Sequence, residues 1–275
     1  MYVNIFQTIV LAIVQGISEL FPISSVAHSV ITPYVLGWKL DPTFLKQNFL
    51  SFVVMMHLGT TVALLFYFRK DWCEIIKSIF ERHQSKKTLL LIIVGSLPAA
   101  IIGGIFEKSI TNVFSDVTVA SVFLICNGFL LYFGEKLRVK GTKNIEDLTF
   151  VQAGVIGIFQ SLALIPGFSR SGSSITAGFW MGLKHEESTK LSMLLATPAI
   201  AGAGLLEVPK LLKAHTPGLL QLSLLGGVVA GVFAFLSVYL MMKWFKRKEI
   251  HAMTPFAIYC AVVGTAVLGS SILFH

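Results

Sequence analysis

Six stretches of this chain, roughly residues 49–68, 87–106, 116–134, 188–207, 218–242 and 254–274, are apolar over the length a helix needs to cross about 30 Å of hydrocarbon. They leave little room for a soluble core, so the reading is one all-α integral membrane domain over residues 1–275. Only 13% of residues are charged, against about 25% in soluble domains. Pro98 and Pro198 interrupt two of the runs, which membrane helices tolerate when neighbours re-satisfy the backbone.

Two further segments break the pattern. Residues 4–36 begin apolar, pass through Gln15, Glu19, Pro22, Ser24, Ser25 and His28, and turn apolar again. Residues 150–183 do the same through Gln160, Pro166, Gly167, Ser169, Arg170, Ser171 and Gly172. Arms of about 10–16 residues are mostly too short to cross at about 1.5 Å per residue, so each segment is predicted to be a re-entrant helical hairpin.

Loop charge tests that prediction. If both hairpins return to the side they entered, the loops 69–86, 135–148, 184–190 and 243–250 share one face. They carry 16 Lys and Arg, counting Lys87 at the edge of the first, against five on the other face (Lys39, Lys46, Lys108, Lys210, Lys213). Single crossings would level the split to 12 against 9. The stronger bias selects the hairpins and puts both termini outside. Each half is then a hairpin plus three spans, repeat 1 over about 1–136 and repeat 2 over about 148–275. Three is odd, so the second copy is inverted, and inverted repeats with broken helices bring their polar breaks together near the midplane.

The net charge of +8 does not imply nucleic acid, because the basic residues sit in short loops between apolar runs. Cys73, Cys126 and Cys260 have no metal-ligand spacing and set no disulfide framework. The N-terminal run has no basic n-region and is not read as a cleavable signal. Lys243, Lys246, Arg247 and Lys248 read as a membrane-edge anchor, and Gly227, Gly231, Gly103 and Gly104 as helix packing. No P-loop, HExxH or EF-hand pattern occurs.

Glu19 and Arg170 carry most of the chemical information, because a central charge in a span costs about 2.5–3.5 kcal/mol and so pairs or lines a wet cavity. One reading is an ion pair that ties the hairpins together. The other is a phosphate site: Ser169-Arg170-Ser171-Gly172-Ser173-Ser174 offers a guanidinium fork, hydroxyls and the positive end of the helix that starts there. Gln15 and Glu19, spaced i, i+4, leave one helical face and could hold a divalent cation or orient an attacking group. Ser25 and His28, spaced i, i+3, could meet as an activated nucleophile and its base, or simply cap a helix. His57, inside a span, reads as packing or a polar bridge.

The run Gln15-Gly16-Ile17-Ser18-Glu19-Leu20-Phe21-Pro22-Ile23-Ser24-Ser25 with His28, and the run Pro166-Gly167-Phe168-Ser169-Arg170-Ser171-Gly172, resemble the motifs of the bacterial undecaprenyl pyrophosphate phosphatases associated with bacitracin resistance. Length and span pattern agree over essentially the whole chain. The resemblance implies a hydrolase that needs a divalent cation, Mg2+ or Ca2+. It implies a polyprenyl pyrophosphate lipid as substrate and action at the outer face of the bacterial plasma membrane. It carries functional roles onto Glu19, Ser25, His28 and Arg170 as catalytic residues. Gln15, Ser24, Gly167, Ser169, Ser171, Gly172, Ser173 and Ser174 would bind phosphate with Arg170, and Glu19 and Gln15 the metal. The chain departs from the family pattern at Gln15, where Glu is common, at Val26-Ala27, and at Ser174, where Thr is usual. The nucleophile stays open between Ser25, His28 and water, and a homodimer is compatible with the sequence. A lipid transporter is the rival reading, since inverted repeats with midplane breaks also build transporters. The signature of the other lipid-phosphatase superfamily is absent from the chain.

Overall fold

The computed structural model describes residues 3–80, 85–138, 141–213, 216–247 and 251–273. The two chain ends, and Arg82, Lys140 and Lys248 of the charge count, lie outside the described residues. Among the described residues there are twelve α-helices and no strand.

Two helices, α1 (Ile5–Ser18) and α2 (Ser25–Val35), form the first broken segment. Asn4 and Gln7 start α1 with a reciprocal capping box, and Pro22 stands in the break where no helical N–H can be donated. A short helix α3 (Pro42–Gln47), capped by Asp41, leads into the span α4 (Phe49–Tyr67). Residues 69–80, read from sequence as a charged loop, form a further helix, α5 (Arg69–Phe80). It is amphipathic, with Ile75 and Ser78 buried and Ile76, Ile79 and Phe80 exposed, and an Asp71–Lys190 ion pair ties it to the bundle. The spans α6 (Ser85–Val113) and α7 (Val117–Lys136) follow.

The second broken segment is α8 (Phe150–Gln160) and α9 (Arg170–Trp180), separated by a 3-10 turn and the Pro166-Gly167 break. Three spans complete the chain: α10 (His185–Lys213), α11 (Leu219–Arg247) and α12 (Thr254–Leu273).

Six helices are long and apolar enough to cross a membrane, within a few residues of the six runs read from sequence. Their outward faces are apolar too: Ile105, Leu205, Val228 and Val262 are all exposed. A water-soluble monomer would not present so much apolar surface, so the chain is an all-helical, multi-pass membrane protein.

Packing follows a crosswise plan. Helix α1 lies against α11 and α8 against α6; α4 packs on α11 and α10, and α7 on α12. Small residues permit the close crossings. A Cβ on Gly16 would sit 2.5 Å from Ala230 O, and one on Gly59 would collide with the backbone of Gly227. One stripe on α11, Gly227-Val228-Val229-Ala230-Gly231, therefore carries both α1 and α4.

Candidate active site

Ser24 caps the N-terminus of α2, its hydroxyl accepting from Ala27 N, and does so with φ 66° and ψ 97°. A non-glycine residue there costs on the order of 1–3 kcal/mol and persists only when neighbours over-determine it. His28 supplies that hold. Its backbone N–H and its Nδ1 both reach the Ser24 carbonyl, at 3.2 and 2.7 Å. The turn delivers the next residue, Ser25, as the first residue of α2.

Ser25 Oγ donates to Glu19 Oε2 at 2.5 Å. The same oxygen accepts from Gln15 Nε2 at 3.1 Å, and His57 Nε2 lies 3.1 Å from it. The other oxygen, Oε1, accepts from Arg170 Nη2 at 3.1 Å. Glu19 is thus a buried carboxylate, 6% exposed, ringed by donors from α1, α2, α4 and α9. Arg170 Nη1 donates to Ser192 O at 2.9 Å, while its Nε is buried with no partner among the described residues.

The second break closes on the first. Asn127 of α7, fully buried, donates to Pro22 O and accepts from Ser169 N, both at 3.0 Å. Ser171 Oγ donates to Phe21 O at 3.2 Å, and Gly172 is close enough that a Cβ would sit 3.3 Å from Pro22 Cβ. Gly167, at φ 116°, lays its backbone on α7 against Ala120 and Phe123. The two breaks, from which α2 and α9 start, therefore pack on one another. Two helix N-termini and a guanidinium are a set of positive ends suited to an anion.

Gln15, Glu19, Ser25 and Arg170 thus share one hydrogen-bonded cluster. The other sequence candidates stand around it. Ser169 caps α9, accepting from Gly172 N. Ser174 ties α9 to Ser192 of α10 at 2.7 Å, and the Ser173 hydroxyl is buried with no partner among the described residues. His28 does not meet Ser25: its Nε2 faces Tyr259 OH of α12 at 2.8 Å, ring stacked on ring. Ser25 meets His57 instead, at 3.3 Å.

Sequence reasoning missed His57 and Asn127 as members of this neighbourhood. The available signal was each polar side chain's place inside an apolar span, where a polar group marks a partner or a pathway.

The donor set can be weighed for a divalent cation. Among the described residues no group of three or more His, Cys, Asp and Glu is placed to hold one. One carboxylate and one amide do fit an ion of the Mg2+ type, which keeps its waters and leans on substrate phosphates. Among the described residues Glu19 Oε1 accepts a single hydrogen bond and Gln15 Oε1 meets only the Ser29 hydroxyl at 3.5 Å, so both oxygens have coordinating capacity left.

Comparison with known proteins agrees over nearly the full length. The family model described as bacitracin resistance protein BacA matches residues 8–266. A protein of Oenococcus oeni named undecaprenyl-diphosphatase 2 is 66% identical over 267 residues, covering 97% of this chain and 98% of the relative. Undecaprenyl-diphosphatases of Acidiphilium cryptum and Granulibacter bethesdensis are 42% and 41% identical, each over at least 94% of both chains. This chain belongs to the BacA bacitracin resistance protein family.

Proposed function

We propose that this protein hydrolyses undecaprenyl pyrophosphate to undecaprenyl phosphate and inorganic phosphate at the outer face of the bacterial plasma membrane, returning the lipid carrier to peptidoglycan synthesis. The carrying observation is the Ser25–Glu19–Arg170 cluster at two converging helix N-termini, inside a family whose relatives are named for this reaction. Lipid transport alone would not need a serine hydroxyl bonded to a buried carboxylate.

In the proposed arrangement the two broken segments are re-entrant hairpins. Helices α1 and α8 hold 14 and 11 residues, and at about 1.5 Å per residue neither spans about 30 Å. The inverted repeat is supported by matched elements. α2 and α9 are 11 residues each, α6 and α11 29 each, and α7 and α12 20 each. The crosswise contacts α1 on α11 and α8 on α6 pair each repeat's first arm with the other repeat's second span. Loop charge orients the termini and the mouth of the first hairpin outward.

The chemistry follows from the cluster. Arg170, the hydroxyls of α9 and the first N–H groups of α2 and α9 hold the pyrophosphate and stabilise the charge that develops on the transferring phosphoryl group. Ser25 Oγ attacks the terminal phosphorus, and its proton passes to Glu19 Oε2, which it already touches at 2.5 Å. The bond from that phosphorus to the bridging oxygen breaks, and undecaprenyl phosphate leaves. Water then attacks the phosphoserine and releases inorganic phosphate. Glu19 and Gln15 would be the protein ligands of Mg2+ or Ca2+, which neutralises charge on phosphate oxygens. His28, with Nδ1 on a carbonyl and Nε2 on a phenol, fixes the Ser24 turn and is the weaker candidate for nucleophile.

The polyprenyl tail has a route along α2. A half-open cleft of about 360 Å³ lies beside Val30, Pro33 and Tyr34 and is lined also by Trp38, Leu45 and Phe49. At about 1.5 Å per residue it begins some 8 Å along the helix from Ser25.

The test is phosphate release from undecaprenyl pyrophosphate by the purified, folded protein, with and without chelator, beside Glu19→Ala and Arg170→Ala. Release that needs metal and disappears in both variants is the expected result. Lipid binding without release at any metal tested would remove the hydrolase reading.

A further inference from the structure

His57 belongs to no motif of either broken segment, yet it touches both reacting partners of the first. Its Nε2 lies 3.1 Å from Glu19 Oε2 and 3.3 Å from Ser25 Oγ, while its Nδ1 faces Val53 O one turn back at 2.9 Å. A carbonyl and a carboxylate can only accept, so each ring nitrogen faces an acceptor and Nε2 is placed to donate to Glu19. The serine, moreover, already donates to Glu19 over the shorter distance.

We propose that His57 is a positioning residue for the reaction assigned above, a fixed donor that holds Glu19 and Ser25 in reacting register. The inference rests on the hydrolase reading and adds to it a group supplied by a full span.

The fold gives the reason such a group is needed. Glu19 closes the C-terminal end of α1 and Ser25 opens α2, on either side of a turn whose Ser24 is held in a left-handed conformation. Sites on helix ends and turns are less precise than sites on regular elements, and the His28 hold fixes the backbone at Ser24 rather than the Glu19 and Ser25 side chains. Helix α4 is a 19-residue span, and its depth is set two residues beyond His57, where Gly59 meets Gly227 and Gly231 of α11. The same helix α11 receives Gly16, the neighbour of Gln15. One small-residue stripe thus fixes α1 and α4 relative to each other, and His57 turns that registration into a hydrogen bond at the carboxylate. The hydroxyls of Thr60 and Thr61 both donate to the His57 carbonyl, at 2.7 and 3.1 Å.

A glutamine amide nitrogen lies as many bonds from Cα as histidine Nε2, so His57→Gln can reproduce the donor without an imidazole. His57→Leu keeps bulk and removes the donor. His57→Asn keeps an amide one bond too short and serves as the second test if the Leu variant does not fold. Steady-state phosphate release is measured for all three beside wild type, with thermal unfolding in detergent as the control of fold.

The expected result is a kcat about 100-fold lower for the Leu and Asn variants, the scale of a roughly 1 Å misplacement, with KM within about threefold. The Gln variant should recover to within about tenfold of wild type. Wild-type kcat in folded His57→Leu or His57→Asn would reduce His57 to packing. A Gln variant as slow as a folded Leu or Asn variant would overturn the donor role in favour of proton transfer or charge. No release by wild type would instead overturn the hydrolase reading, and this inference with it.

Discussion

The two broken segments share a pattern of caps and amides and, in the proposed reaction, take opposite tasks. Ser24 and Ser169 cap matching 11-residue helices, and Gln15 and Gln160 sit at the ends of the arms before them, all about 145 positions apart in sequence. At the same shift Ser25 corresponds to Arg170, and Glu19 to Leu164. The first segment thus holds a hydroxyl and its carboxylate, the second a cation and no carboxylate. Their amides differ as well: Gln15 is bonded to Glu19, whereas both side-chain polar atoms of buried Gln160 lack partners among the described residues. The backbone differs too, since Ser24 is held at φ 66° and Ser169 is relaxed at −90°. The segment proposed to react is the strained one, and the segment proposed to grip is not. Neither is a site alone. The two polar breaks complement each other, a hydroxyl and carboxylate in one meeting a guanidinium from the other.

Breaking the charge complementarity should have the largest effect. Arg170→Leu leaves Glu19 buried without its guanidinium and should lower stability by about 3–5 kcal/mol, and Glu19→Leu should do the converse. The double variant should lose clearly less than the sum of the two, because the pair is then removed together. Denaturant unfolding in detergent measures the cycle, and strict additivity would mean the pair is not coupled. All three variants should lack phosphate release.

Next in size is the bridge between the breaks. Asn127→Ala orphans Ser169 N and leaves Pro22 O only the long Cys260 thiol contact at 3.9 Å, and an unmet buried group costs about 1–3 kcal/mol. The variant should unfold earlier and turn over at least about tenfold more slowly, since a joint serving both segments is gone. Wild-type turnover in Asn127→Ala would mean that the segments hold their register without it.

Much of this was legible in the sequence. The six spans stand out because twenty apolar residues are a strong signal, and Glu19 and Arg170 because charge in a span needs a partner. The pairing of Ser25 was not legible. The i, i+3 spacing offered His28, but His28 Nδ1 is drawn to the Ser24 carbonyl and its Nε2 to Tyr259, 231 residues away. His57 and Asn127 were missed for the same physical reason: local periodicity shows which face a residue occupies, not which distant helix that face meets. Helix α5 was hidden because its polar face, with Arg69, Lys70 and Lys77, resembled the loop charge around it.

The smallest effect concerns the two caps. At Ser24 glycine loses only a few tenths of a kcal/mol as an N-cap and relieves a positive φ, so Ser24→Gly should be neutral or slightly stabilising. At Ser169 there is nothing to relieve, and Ser169→Gly should destabilise by up to about 1 kcal/mol. Equal unfolding midpoints for the two would show that the Ser24 turn holds no strain.

The division of labour itself is tested most directly by measuring undecaprenyl pyrophosphate binding and turnover in folded Ser25→Ala and Arg170→Lys. The account predicts that Ser25→Ala binds the lipid within about threefold of wild type and releases no phosphate. Arg170→Lys, which keeps charge but loses the planar fork, should bind at least about tenfold more weakly. Binding lost with Ser25 and kept with the Arg170 substitution would contradict the assignment of reaction to the first segment and grip to the second.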